Sequence, residues 1–550
     1  MQGLLRSVGR AVLVSALGAI ALVMGVSAQT GSVASCDRFL ATARDVRGQK
    51  VGPASCLMQD TALTIEGRAF RRLDIGLDGS VDGFVTRTGD YKEYLTNAPD
   101  LVFPQTADAG ERFFAVAKYQ RDKGAAMTVI FPSSPGAWNG KNWVTVHGRG
   151  TSFKEGNLKA WDQNLDPARP LAGLNKYDLL MLSKGFALVK TRRTSSEGLG
   201  EILATLDNGT TVDDVAFNDS ARYIMDFASV AHNLIADRLG RRPSRTYLYG
   251  HSAGARIGRG LNYTPGLNRD RDGGAFFDGI LADDGAAGGW LPVLMKDGKD
   301  VLLTTDADRA AFVPQLDISH QMYNNIWPSK KPDYMSSSYL ANKRSNARIL
   351  AEKGLTAKHR MYEVRSISHS GGENLPDGRR GAVQILDMSK VMDRFIDMLD
   401  AWVDRGIAPP ASRSDAPDTS GRAGANTRPA LAFPEVACPL GVYFPYPNSV
   451  AGTTSFAAFT GHGLEPLDAS NVFVDMNRNG VWDERESPTQ AWRRLGLLPA
   501  SESLTRNRYV ECVQAAGRAL VTEGFMSDAN AAWYADQARQ IELVPVRSSP

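Results

Sequence analysis

From Met127 onward the chain alternates between two textures. Short runs rich in β-branched, aromatic and leucine residues cover 127–131, 143–146, 186–190, 246–249, 279–282, 313–318 and 360–365. Each is too short for a stable helix and reads as a buried strand. Between them, at 220–239, 253–261, 337–353 and 385–405, apolar residues recur at helical spacing. Strands alternating with amphipathic helices predict an α/β fold, a mostly parallel sheet with helices on both faces.

Outside this region the pattern weakens. Residues 29–125 are mixed, with strand-like alternation near 63–65 and 113–117. They could cover a site or extend the sheet. Residues 409–429 (PPASRSDAPDTSGRAGANTRP) have almost no apolar anchor and read as a linker or long surface loop. A smaller, aromatic-containing segment follows and ends in two helical stretches. The organisation expected is a leader at 1–28, an N-terminal extension at 29–125, the α/β domain at 126–408, a linker or long loop at 409–430, and a C-terminal segment at 431–550.

The leader has the form of a bacterial export signal. Arg6 and Arg10 precede an apolar run over 11–25, and Val26-Ser27-Ala28 is a small-residue cleavage site. The run falls short of the roughly 20 residues of a spanning helix. A secreted or periplasmic protein, off the membrane once processed, is the expectation. Four cysteines, Cys36, Cys56, Cys438 and Cys512, allow three pairings. The simplest is local, Cys36 with Cys56 and Cys438 with Cys512. No Cys-x-x-Cys spacing suggests zinc or redox chemistry.

Composition narrows the function. The 550 residues are 43% hydrophobic and 22% charged, with a net charge of +3. This is an ordinary globular balance, with no clustered basic face to argue for nucleic acid.

Gly250-His251-Ser252-Ala253-Gly254 fits G-x-S-x-G. A strand pattern (RTYLY) runs into its first glycine and a helix-compatible stretch leaves its last. Strand, tight turn and helix expose a strained serine above a sheet. Side chains at either glycine position would clash with the neighbouring strand and helix. The helix start offers the Ala253 N–H to a developing oxyanion.

A serine nucleophile needs a base. Of seven histidines, His369 sits in a small-residue loop (Ser368-His369-Ser370-Gly371-Gly372) after the last predicted strand. His232 is mid-helix and reads as structural. The acid is open among Asp333, just before the 337–353 helix, Asp317 near the end of its strand, and Asp283 or Asp284; Asp333 is taken first. After the 143–146 strand, His147-Gly148-Arg149-Gly150 resembles an esterase oxyanion loop, so N–H groups near Gly148 or Arg149 supply the second donor.

Together these residues resemble the α/β-hydrolase superfamily over roughly 126–408. A finer resemblance is to exported bacterial hydrolases of the tannase and feruloyl-esterase type. It rests on GRRP at 240–243, GHSAGAR at 250–256 and LDAWVDRGIAP at 399–409. Those enzymes carry cysteines beside the nucleophile and the histidine, where this chain has His251 and Ser368. The resemblance implies a serine hydrolase cleaving a small-molecule or polymeric carboxylic ester through an acyl-enzyme, with no cofactor in the chemistry. A serine peptidase or polyester depolymerase on the same fold, or an inactive calcium-dependent binding protein, are the rival readings.

Residues 475–486 (DMNRNGVWDERE) match a calcium loop. Asp475, Asn477, Asn479, Asp483 and Glu486 supply side-chain oxygens, Val481 a backbone carbonyl, and Gly480 the sharp turn. The residues before it look like strand, so a free-standing structural Ca2+ site is expected.

Overall fold

The structure is a computed structural model. It describes residues 26–36, 55–78, 124–147, 174–192, 217–251, 253–284, 302–320, 338–365, 386–415, 428–443 and 488–540, with short pieces between them. Ten strands form the main sheet: β1 (Val26–Ser35), β2 (Ser55–Ile65), β3 (Arg68–Asp78), β4 (Gly124–Pro132), β5 (Lys141–His147), β6 (Ala187–Arg192), β7 (Arg245–His251), β8 (Gly279–Asp283), β9 (Gln315–His320) and β10 (His359–Val364). The helices of eight or more residues are α1 (Lys176–Ser183), α2 (Phe217–Leu239), α3 (Ala253–Tyr263), α4 (Ser338–Glu352), α5 (Ser389–Arg405), α6 (Arg506–Thr522) and α7 (Asp528–Gln540).

In these labels the sheet order is β1-β2-β3-β4-β6-β5-β7-β8-β9-β10. From β6 to β10 every neighbouring pair is parallel, whereas β4 runs antiparallel to both β3 and β6. The eight strands from β3 onward, with their single β5/β6 exchange and one reversed strand, have the α/β-hydrolase fold. Parallel strands share a C-terminal edge, and that is where such folds build their sites.

Alternation along each strand divides the core between two faces. On one face Val144, Val146, Leu248, Ile280 and Ala282 pack against Ile224, Phe227 and Leu234 of α2 and Ile257 and Leu261 of α3. On the other, Trp143, Tyr247, Leu281 and Ile318 meet Met181 of α1 and Phe395, Ile396 and Leu399 of α5. Trp492, Tyr509, Val513 and Phe525 of the C-terminal segment join this second core.

The N-terminal region extends the sheet where it is described. β2 and β3 form a long hairpin closed by Glu66 and Gly67, both at positive φ (49° and 76°). Two left-handed residues give a turn whose twist matches the strands. Arg72 and Asp74 of β3 are buried and paired at 2.8 Å, with the Thr128 hydroxyl donating to Asp74 at 2.7 Å. The disulfides are Cys36–Cys56 and Cys438–Cys512, the local pairing. Among the described residues no helix is long and apolar enough to cross a membrane.

The loop after α5 lies along the sheet edge. Arg413 and Leu431 bond to β10: the Glu363 N–H donates to Arg413 O at 2.9 Å, and the Leu431 N–H to Glu363 O at 2.8 Å. These backbone bonds occupy an edge that would otherwise present free donors and acceptors.

Candidate active site

β7 ends at His251 and α3 begins at Ala253, so Ser252 alone links strand to helix. β7 lies between β5 and β8, with Gly250 opposite both Val146 and Ala282. A Cβ on Gly250 would sit 2.2 Å from the carbonyl oxygen of Gly254. One on Gly254 would sit 2.2 Å from the carbonyl oxygen of Val146. Real Cβ atoms do not approach backbone so closely. Both glycines are therefore steric requirements of a turn that folds back on its own strand and against β5. Gly258, a turn later, brings α3 down onto β8, where a Cβ would meet Ile280 at 2.9 Å.

The strands that precede the other expected groups in the sequence end at the same edge. β5 ends at His147, one residue past the Val146–Gly250 rung, and runs into Gly148 and Arg149. β10 ends at Val364, opposite His320, and the chain continues towards His369. Ser252, Gly148, Arg149, His369 and Asp333 lie outside the described residues, as does the side chain of Ala253. So do Asp475, Asn477, Asn479, Val481, Asp483 and Glu486 of the calcium-type loop. Among the described residues no cluster of histidine, cysteine or carboxylate side chains could hold a metal.

The three described aspartates weighed as the acid each have other close partners. Asp317 accepts from Arg259 Nε at 2.6 Å on one oxygen, and from Gln315 at 3.0 Å on the other, which also lies 2.8 Å from His359 Nε2. Its burial pushes the carboxyl pKa up, but Arg259 and His359 outweigh that and hold it below the usual range. Asp283 accepts from the Tyr249 hydroxyl at 2.8 Å, and its other oxygen is 3.1 Å from His320 Nε2. Asp284 accepts from Lys343 Nζ at 2.9 Å and from the His320 backbone N–H at 3.1 Å; its second oxygen is 3.5 Å from His320 Nδ1.

His320, at the tip of β9, is thus wedged between two carboxylates with no exposed surface. Burial alone would lower its pKa, but Asp284 and Asp283 outweigh it and raise the value above that of free histidine. Lys343 moves the other way, lowered by its burial in α4. The contacts of Tyr249, His320 and Lys343 with these aspartates were not legible in the sequence. The available signal was the polar pair Asp283-Asp284 at the end of an apolar strand, with a histidine at the end of the next.

His232 has the structural role expected of it. Its Nε2 accepts from Asn142 at 3.1 Å near the opposite end of the sheet, and its ring stacks on Phe276. Burial, with Arg242 nearby, lowers its pKa to about 3.

No protein-family profile matches the chain, and no curated protein matches it. Solved structures resembling it include an acylaminoacyl peptidase from Pyrococcus horikoshii. That match has 13% identity and a TM-score of 0.29, covering 62% of this chain and 54% of that one. The poly(aspartic acid) hydrolase-1 of a Sphingomonas species is 16% identical with a TM-score of 0.29, over 49% of this chain and 95% of that one. Esterase B of Lactobacillus rhamnosis is 13% identical with a TM-score of 0.23, over 50% and 82%. The fold assignment rests on the strand order and the reversed strand of this sheet.

Proposed function

We propose that the protein is an exported serine hydrolase that cleaves carboxylic esters. The observation that carries the reading is the steric demand at Gly250 and Gly254 around a single serine between the central strand and its helix. A turn this tight is built to hold one side chain above a sheet.

In this reading Ser252 Oγ attacks the ester carbonyl carbon while His369 takes the hydroxyl proton. The Ala253 N–H and an N–H near Gly148 or Arg149 hold the tetrahedral oxyanion. Collapse breaks the bond to the alcohol oxygen, which leaves with the proton from His369. Water, deprotonated by His369, then attacks the acyl-enzyme and releases the acid. Asp333 holds the imidazole tautomer and stabilises its cation. The engagement of Asp317, Asp283 and Asp284 by other partners supports Asp333. Aromatic esters of the tannase and feruloyl-esterase type are the first substrates to try. Ca2+ at 475–486 is proposed as a structural ion, on the sequence pattern alone.

The test is labelling by a fluorophosphonate probe, with p-nitrophenyl ester turnover, for wild type, Ser252→Ala and His369→Ala. Loss of both signals in folded variants supports the reading. A folded wild type that neither labels nor turns over overturns it. Chelator that lowers the melting temperature, with calcium restoring it, supports the structural ion.

A further inference from the structure

Pro434–Ala437 is a four-residue helix that ends at Cys438, the cysteine bonded to Cys512 of α6. Glu435 lies in this turn, beside a core that buries Phe433, Tyr509 of α6 and Tyr534 of α7. Its Oε2 has no access to solvent and no hydrogen-bond partner among the described residues. The titratable and charged groups that face it come from three helices. They are the Tyr534 hydroxyl of α7, Tyr509 of α6, Lys390 at the start of α5, and Asp387 just ahead of α5. Asp387 is itself paired with Lys176 of α1 at 2.6 Å. Lys390 holds its Nζ 4.2 Å from the centre of the Trp533 ring, and its carbonyl accepts from Asn530 Nδ2 at 3.0 Å. α7 therefore meets α5 at Lys390, within electrostatic reach of the Glu435 carboxyl.

A carboxyl shut off from water, with one oxygen unpartnered, keeps its proton in preference to carrying a charge. Burial raises the Glu435 pKa to about 8 from an ordinary 4.5, and Asp387 adds to the rise; its own backbone N–H, the Tyr534 hydroxyl and Lys390 offset it only in part. An apolar residue here would hold the helices together at every pH. A glutamate holds them only while it is protonated.

We propose that Glu435 is a proton-dependent latch on the C-terminal helices: protonated, it lets α7 close over the start of α5; ionised, it opens that contact. The opened chain gives up the proton in the ordinary carboxylate range, and the closed one only near pH 8. The advantage of the closed state is thus complete below pH 4.5 and is lost as the pH rises towards and through about 8.

The test is hydrogen exchange of the full chain, read by mass spectrometry at about pH 6 and about pH 9, with rates corrected for the intrinsic effect of pH. In wild type, protection over 528–540 should fall about 10- to 100-fold between the two, while that of β7 changes less than about twofold. Glu435→Gln keeps the size and the polar contacts but cannot ionise. Its protection over 528–540 should be level with pH and exceed that of wild type at the higher value. Lys390→Met removes the cation facing the carboxyl and so makes ionisation harder still. Its fall should be larger than that of wild type.

Level protection over 528–540 in wild type would overturn the proposal, as would an equal fall in folded Glu435→Gln. A fall of the same size in β7 would show loosening of the whole molecule and overturn it too. Should Glu435→Gln not fold, Lys390→Met decides, and a fall no larger than that of wild type counts against the latch.

Discussion

Gly254 and Val146 meet so closely that a Cβ on the glycine would stand 2.2 Å from the valine's carbonyl oxygen. Backbone cannot yield as a flexible side chain can. Gly254→Ala, and Gly250→Ala for its contact with Gly254 O, must therefore push α3 off β5 or distort the turn. Overpacking costs about 1–3 kcal/mol, occasionally more. Both variants should melt lower than wild type and lose at least about 100-fold in ester turnover, an effect of order 3 kcal/mol on the barrier. Gly136→Ala is the control, since nothing lies within 4 Å of its Cβ position. A Gly254→Ala protein with wild-type melting and turnover would contradict the close approach.

His232 is folded in its neutral form, with a pKa lowered to about 3 against an ordinary value of 6.5. The unfolded chain takes up that proton first as the pH falls. The stability associated with a neutral His232 is therefore complete above pH 6.5 and lost progressively between there and about pH 3. His232→Gln should lower the melting temperature at pH 7.5 by removing the Asn142 bond and the Phe276 stack. It should also flatten the decline of melting temperature between pH 6.5 and 5. An unchanged acid slope would mean that other groups carry it.

Arg259 and Asp317 form a buried pair, 1% and 5% exposed, between α3 and β9. Removing one partner strands the other, which typically costs about 3–5 kcal/mol. Asp317→Asn should show that loss in urea unfolding, yet keep ester turnover per folded molecule within a few-fold of wild type. Because the folded carboxyl is held low, its contribution is present above the ordinary carboxylate range and disappears as pH falls through it. A kcat collapse in folded Asp317→Asn would instead make Asp317 the acid.

The Cys438–Cys512 bridge spans a sequence separation of 74 and ties the start of the C-terminal segment to α6. In the chain-entropy picture a loop of that size is worth roughly 4 kcal/mol, and the 20-residue Cys36–Cys56 loop roughly 3. Replacing both cysteines of the longer bridge by alanine should lower melting more than replacing both of the shorter. Since Trp492, Tyr509 and Phe525 share the core of the sheet, the loss should appear as one cooperative transition by calorimetry. A separate early transition for 431–550 would contradict that shared core.

The central strands were legible because their apolar runs are bounded by turn residues and separated by amphipathic helices. The β2–β3 hairpin was legible only near Leu63–Ile65. Its faces bury Gln59, Thr61, Arg72 and Asp74, and these polar residues erase the alternation that marks a strand. α1 was missed because KYDLLMLS carries leucines and methionine round most of its circumference. The chain near Arg413 reads as loop by composition; its attachment to β10 runs through backbone groups, which composition does not report. At the site, the need for glycine on either side of Ser252 followed from close packing. The contacts around Asp284 did not, because they join residues just after β8, on β9 and on α4 that only the fold brings together.

The second core has a consequence for the order in which the chain can fold. Phe525, which follows α6, packs edge-on to Tyr362 of β10, itself stacked on Phe395 of α5. The ribosome has made every strand of the sheet long before Phe525 emerges. Until then α5 and β10 have an uncovered apolar side. Growing chains of this protein therefore stay short of their final packing for most of synthesis, and the last hundred or so residues decide when the sheet's second face closes.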